Sequence, residues 1–194
     1  MAVTDRDGRV VAERSTADTM RHAEVIGGFL ADCLGEAGVR PAELEAVAVG
    51  MGPGPFTGLR VGIAAARTFA LAAGIPVLPV VSHDAIAFAR YGAGAVGGIL
   101  VVTDARRRER YWSAYLGVDA DGLPVREDGP GLARPDELPH PQLERCDATD
   151  VPAGALAGFA ERMRAAGRPF AEDRPLYLRS PDVTLSAGPK RVSR

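Results

Sequence analysis

The sequence predicts an α/β protein built as two lobes, and three observations carry that prediction. Strand-like and helix-like stretches alternate through the first part of the chain, hairpin-like strand pairs dominate the second, and a glycine-rich joint at residues 92–98 separates them. The boundary falls at 96/97, giving an N-terminal lobe of residues 1–96 and a C-terminal lobe of residues 97–194 with a flexible tail.

Residues 2–15 read as a β-hairpin, with Asp7-Gly8 as the turn pair and Val10, Val11 and Ala12 on the return strand. Asp18 or Thr19 is placed to cap the following helix. In that helix Val25, Ile26, Phe29, Leu30, Cys33 and Leu34 recur at helical spacing, while Ala23, Gly27 and Ala31 make a second stripe of small residues. Residues 46–50 form a short buried strand that runs into a glycine-rich loop. A helix follows over about 58–73 and Gly74 closes it. Residues 76–81 form the next strand, and Ser82 or His83 opens a short helix ending near Tyr91.

Beyond the joint, residues 98–104 (GILVVTD) are a strand on which residues 111–118 fold back as a hairpin. Asp121-Gly122 turns again into residues 123–126. Residues 129–150 are rich in Pro, Asp and Gly and read as a long surface connection with one short turn of helix. Residues 153–167 form an amphipathic helix with Leu156, Phe159 and Met163 on one face. Residues 176–178 are a candidate last strand, and the tail after Pro181 reads as polar and mobile.

A hydrophobic content of 46% over 194 residues is enough for a real core, and a net charge of −2 provides no overall pull towards nucleic acid or membrane. Cys33 and Cys146 have no cysteine or histidine near them at ligand spacing, so neither a disulfide framework nor a zinc site is expected. His22, His83 and His140 form no pair at helix-face spacing, and no metal is expected. The apolar region 61–81 is interrupted by Arg67, Gly74, Pro76 and Pro79, too often to span a bilayer. A cytoplasmic protein without cofactors is the expectation.

The loop Gly52-Pro53-Gly54-Pro55 stands between a strand and a helix, where a phosphate cradle would stand. A P-loop needs Lys-Ser or Lys-Thr after its last glycine, and Leu59-Arg60 follow Gly58 instead. A dinucleotide fingerprint needs a third glycine where Thr57 stands. Pro53 and Pro55 also remove two N–H donors. The loop therefore reads as a rigid turn, with Thr57 capping the helix. In that helix only Arg60, Arg67 and Thr68 are polar between residues 59 and 73. A helix apolar nearly all round needs cover on more than one side, and in so short a chain a second protein can supply it. Arg106, Arg107, Arg108 and Arg110 fall in a hairpin turn, read as solvated and balanced by Asp104 and Glu109, because no aromatic platform is interleaved with them.

GPGPFTGLRVG, residues 52–62, resembles the signature Gly-Pro-Gly-Ser-Phe-Thr-Gly-Leu-Arg-x-Gly of the TsaB (YeaZ) family, with Pro55 where serine is usual. DARRRERYWSAY from Asp104 resembles the family's Asp-Ala-Arg…Glu-x-Tyr-x-Ala stretch with Arg110 inserted, and residues 175–179 (PLYLR) are a third, weaker match. The resemblance implies an actin-like, sugar-kinase-like (ASKHA) fold. It also implies a preceding strand with an Asp-Thr or Asp-Ser motif, so that the N-terminal lobe starts after its first strand. The function it implies is that of a non-catalytic dimerisation subunit supporting TsaD, the catalytic sister, in threonylcarbamoyl-adenosine modification of tRNA.

The implied partners are a TsaD-like subunit in a heterodimer, a TsaE-like ATPase and, in isolation, a second copy of the chain; tRNA is met only through the complex. The implied interface residues are Ala23, Gly27, Leu30 and Ala31 on the first helix and Gly62, Ala65, Ala66 and Phe69 on the second. The signature loop contributes Gly52, Pro53, Gly54, Phe56, Thr57, Gly58 and Arg60. An ATP-dependent kinase-like or glycoprotease-like enzyme of the same fold, or a truncated remnant, is the alternative.

Overall fold

The computed structural model describes residues 1–16 and 22–179, without the side chains of His22 and Ala23. The expected Asp18 or Thr19 cap and the tail after Pro181 lie outside the described residues. Element order is β1 (Ala2–Thr4), β2 (Val10–Glu13), α1 (His22–Ala37), β3 (Val47–Gly50), α2 (Phe56–Ala73), β4 (Val77–Val80), α3 (Ser82–Gly92), β5 (Ile99–Asp104), β6 (Arg110–Val118), β7 (Pro124–Ala133), β8 (Glu144–Ala148) and α4 (Ala153–Ala165), with a 3-10 turn at Pro41–Glu43.

The hairpin β1–β2 forms as expected. Asp5 organises its turn, accepting from the N–H groups of Asp7 (3.0 Å) and Arg9 (2.9 Å). β3 and β4 pair in parallel, Val47 opposite Val77, with α2 as the crossover. The third sheet has the order β7-β6-β5-β8, antiparallel except for the β5–β8 pair.

Alternation of side chains across the strands places the core on both faces of this sheet. Ile99, Val101 and Tyr115 point at Ile86 and Ala87 of α3, while Leu100, Val102 and Ala114 are covered from the other side by Trp112, Leu138 and Leu143. α4 joins the parts. Leu156, Phe159 and Ala160 pack with Val80 of β4 and Ala85 of α3, and Phe88 and Phe159 lie with ring centroids 5.6 Å apart. α4 approaches the hairpin so closely that a Cβ on Gly154 would lie 2.3 Å from Val10. On the outer side, Cys33 of α1 packs with Val3 and Ala12, and Ile63 of α2 packs with Val49 and Met51.

The structure corrects three expectations. Residues 129–150 are not a long connection with a turn of helix: β7 continues to Ala133 and β8 occupies Glu144–Ala148. β7 is an edge strand, largely exposed, so it lacks the alternation that marks a half-buried strand, and its glycines have a packing purpose. A Cβ on Gly131 would lie 2.4 Å from the Trp112 ring. We expect Gly131→Ala to destabilise the chain by about 1–3 kcal/mol, read from urea unfolding, because the indole must be displaced. Thr57 does not cap α2, since the N-cap is Pro55 and makes no side-chain cap bond. Residues 176–178 are not a strand. They belong to a strap pinned by single contacts: Ala171 N–H to Pro79 O (3.1 Å), Leu176 N–H to Met51 O (2.7 Å), and Arg67 Nη2 of α2 to Asp173 Oδ1 (2.7 Å).

Candidate functional site

The signature loop is tied inward. Met51 N–H donates to Val80 O (2.7 Å), Gly52 N–H to Ser82 Oγ (3.1 Å), and Ser82 N–H returns a bond to Gly52 O (2.7 Å). The Gly52-Pro53 peptide is cis, and Met51, Gly52 and Pro53 are buried while Gly54 is half-buried. At φ +102°, and with Leu59 and the Leu176 carbonyl each 3.1 Å from where a Cβ would stand, position 52 accepts only glycine. The Met51 and Gly52 N–H groups are thus spent on the neighbouring strand and helix, which fits a rigid launch of α2. Phe56 opens the helix. Its ring pairs with Tyr177 of the strap at 4.8 Å, and the Arg60 guanidinium stacks over it at 5.2 Å.

α1 and α2 pack on each other and on the N-terminal strands, and the expected interface residues other than Ala23 differ in exposure. Gly27 and Ala31 are exposed, and Leu30, Gly62, Ala65 and Phe69 are half-buried. Ala66 rests on the Val49, Met51 and Ile63 cluster, so part of its surface serves the chain's own core. Leu71 of α2 is 85% exposed, a large apolar side chain that sequence reasoning did not single out.

Open space at the Cβ position is not confined to these helices, since Gly54, Gly92 and Gly117 have it too, but every described glycine on α1 and α2 has it. At Gly50, Gly52, Gly98, Gly129, Gly131 and Gly154 a Cβ would collide with the chain's own atoms at 3.2 Å or less. At Gly27, Gly28, Gly35, Gly58 and Gly62 a Cβ would meet nothing within 4 Å. A helical glycine costs roughly 0.5–1 kcal/mol against alanine. Among the described residues no packing contact at the Cβ position compensates for these five.

A buried polar network joins α3 to the C-terminal sheet, and sequence reasoning missed it. His83 is fully buried, with Nδ1 2.8 Å from Ser113 Oγ and Nε2 2.9 Å from Thr103 Oγ1. Burial first, and the nearby Arg126 second, lower its pKa from 6.5 to about 3, so the ring is neutral at pH 7. Next to it Tyr115 Oη donates to Asp84 Oδ1 (2.7 Å), and Arg126 Nε lies 3.3 Å from the same oxygen. Burial raises the Asp84 pKa, opposed by Arg126 and the tyrosine hydroxyl. In the sequence His83 stands alone at a helix start, and its hydroxyl partners, on β5 and β6, carry no local signal. Among the described residues no three His, Cys, Asp or Glu side chains gather as a metal would require, and no helix is long and apolar enough to cross a membrane.

Residues 9–124 match the protein family described as "TsaD: tRNA N6-adenosine threonylcarbamoyltransferase". That stretch contains the signature loop, both outer helices and the arginine turn. The chain is a TsaB-like member of this family. It is 30% identical over 133 residues to the tRNA threonylcarbamoyladenosine biosynthesis protein TsaB of Escherichia coli K12, a match covering 69% of this chain and 57% of that one. An uncharacterized protein of Mycobacterium tuberculosis H37Rv is 41% identical over 180 residues, covering 90% of this chain and 82% of its own. Among solved structures, YeaZ from Pseudomonas aeruginosa superposes with a TM-score of 0.73 at 26% identity, over 88% of this chain and 90% of that one. This TsaB-like chain therefore has the α/β, ASKHA-like fold that its motifs implied.

Proposed function

We propose that this chain acts in the biosynthesis of threonylcarbamoyl-adenosine in tRNA as a non-catalytic subunit whose α1–α2 face docks on a TsaD-like protein. The observation that carries the proposal is the set of five glycines on α1 and α2 with open space where a Cβ would be. Their intrinsic cost is offset when a partner's backbone comes close, the use to which helical glycines are put where helices approach tightly. Exposed Gly27 and Ala31 and half-buried Gly62, Ala65 and Phe69 give that face the small and greasy character of an interface core. Residues 1–96 are then the docking lobe, and residues 97–194 support it through α4 and the strap. The E. coli relative is named for the same biosynthesis, and the family is named for the transferase reaction.

Co-expression of the chain with the cognate TsaD-like protein, followed by size-exclusion chromatography, tests the proposal; separate elution of the two proteins would refute it. A second result separates interface from fold. Gly27→Ala and Gly62→Ala should each raise the stability of the isolated chain by roughly 0.5–1 kcal/mol and at the same time weaken the complex. Thermal unfolding of the chain alone and calorimetric titration of the partner would read the two effects.

A further inference from the structure

The arginine turn and the aromatic pair beside it are left unexplained by docking through α1 and α2. Arg106, Arg107 and Arg108 all have left-handed backbone, with φ of 63°, 49° and 61°. A non-glycine residue resists this region, and three in succession is a strained arrangement of the sort found where side chains must be aimed. The turn is closed by Ala105 N–H to Glu109 O (3.1 Å) and Glu109 N–H to Arg106 O (2.9 Å), leaving the three arginines exposed.

Of the two acids expected to balance the turn, one holds Arg110, as expected, and the other faces the strap. Asp104 pairs with Arg110, and Glu109 lies 3.6 Å from Arg179. Arg106 and Arg108 have no ion-pair partner among the described residues, and Arg60 has only the Phe56 ring. The aromatic platform that the sequence lacked around the turn is supplied by the fold. Arg179 Nη1 donates to Ala105 O (2.9 Å), fastening the strap to the turn. Two residues back along that strap, Tyr177, 44% exposed, pairs with Phe56, over which Arg60 stacks. Two residues of chain span at most about 7 Å, so the platform is tethered to the turn through the single Arg179 side chain.

We propose that this surface, Arg106 and Arg108 with Arg60, Phe56 and Tyr177, is a contact site for single-stranded tRNA. It rests on the reading that the chain acts in tRNA modification and adds a direct contact to it. Guanidinium groups hold phosphates, and a half-exposed tyrosine on a cation-backed aromatic is a face on which an unstacked base can lie. A carboxylate-rich peptide would use the arginines but not the rings, so the combination favours RNA over an acidic protein. The net charge of −2 makes this a local contact rather than a long-range field.

The test is fluorescence anisotropy of the full chain with a fluorescein-labelled, unmodified tRNA transcript at several salt concentrations. With three guanidinium groups on phosphate, log K should fall with log salt with a slope of about −2. Arg106→Glu with Arg108→Glu should weaken binding at least ~10-fold and flatten that slope to about −0.7. Tyr177→Ala should weaken binding by roughly 5- to 10-fold with the slope unchanged, a split that mere unfolding would not give. Arg108→Gly, which relieves one left-handed residue, should raise the melting temperature while weakening RNA binding. The proposal is overturned if the chain does not bind tRNA, if these variants bind it as the parent does, or if poly-aspartate or Mg-ATP displaces the tRNA at equal concentration of charge. Co-elution with the TsaD-like protein should persist in all four substitutions, so failure of the parent chain to bind tRNA sinks this contact alone and leaves the docking proposal standing.

Discussion

Stability of the chain should fall by about 4 kcal/mol as pH is lowered from 7 towards 3, and His83→Leu should remove most of that dependence. The folded chain holds the His83 pKa at about 3 against an ordinary 6.5. Between those values the unfolded chain takes up a proton that the folded chain refuses. The stabilisation is therefore complete above about pH 6.5 and is lost as pH falls towards 3. Asp84 works in the opposite sense. Its raised pKa lets the folded chain bind a proton before the unfolded one does, so acid relieves part of its burial cost. The difference between parent and His83→Leu isolates the histidine, since both chains keep Asp84.

At pH 7 the variant should itself be less stable by roughly 2–5 kcal/mol, because the Ser113 and Thr103 hydroxyls are left facing leucine. Urea unfolding of both proteins at a series of pH values measures both effects. Equal slopes in the two proteins would show that His83 is not the group responsible.

The second large effect is expected at the outer helices. Ala31 is exposed and Gly62 has open space at its Cβ position, so Ala31→Arg and Gly62→Arg can be accommodated by the isolated chain. In a complex each would bury an unpaired guanidinium in a closely packed apolar contact. We expect at least about 100-fold weaker binding of the TsaD-like partner from either substitution, which is close to 3 kcal/mol. Ala66→Arg is the less informative probe, because Ala66 also touches Val49, Met51 and Ile63. Circular dichroism and melting temperature should stay at parental values for Ala31→Arg.

How much could be read from the sequence differs between the two lobes for physical reasons. The hairpin at Asp7-Gly8, the β3–α2–β4 crossover and the α1 core residue Cys33 announce themselves through local turn chemistry and helical periodicity, and the structure has all three. β7 and β8 did not, because residues 125–129 of β7 are all exposed and β8 is short and polar, with only Cys146 and Ala148 turned to the core, and Gly129 and Gly131 read as breakers when they are in fact seats for Trp112.

The strap has no periodicity at all. It is held by Arg67, Met51 and Ala105, residues 74 to 125 positions away in the chain, and no local pattern encodes such contacts. Phe56 and Arg60 were legible as signature residues, but the pairing of Phe56 with Tyr177 depends on the strap. The same holds for His83, whose burial is decided by two strands that follow it in the chain. The small-residue stripes on α1 and α2 were visible in the sequence. Only the structure distinguishes glycines required by the chain's own packing from glycines that no contact among the described residues requires.

The central claim is that those unrequired glycines face a partner, and one measurement meets it directly: size-exclusion chromatography with light scattering on the chain co-expressed with its cognate TsaD-like protein, for the parent and for the Ala31→Arg, Gly62→Arg double variant. The parent should elute with its partner at the mass of a mixed complex, and the double variant should elute alone while remaining folded. A parent that never joins the partner, or a double variant that still does, would contradict the account.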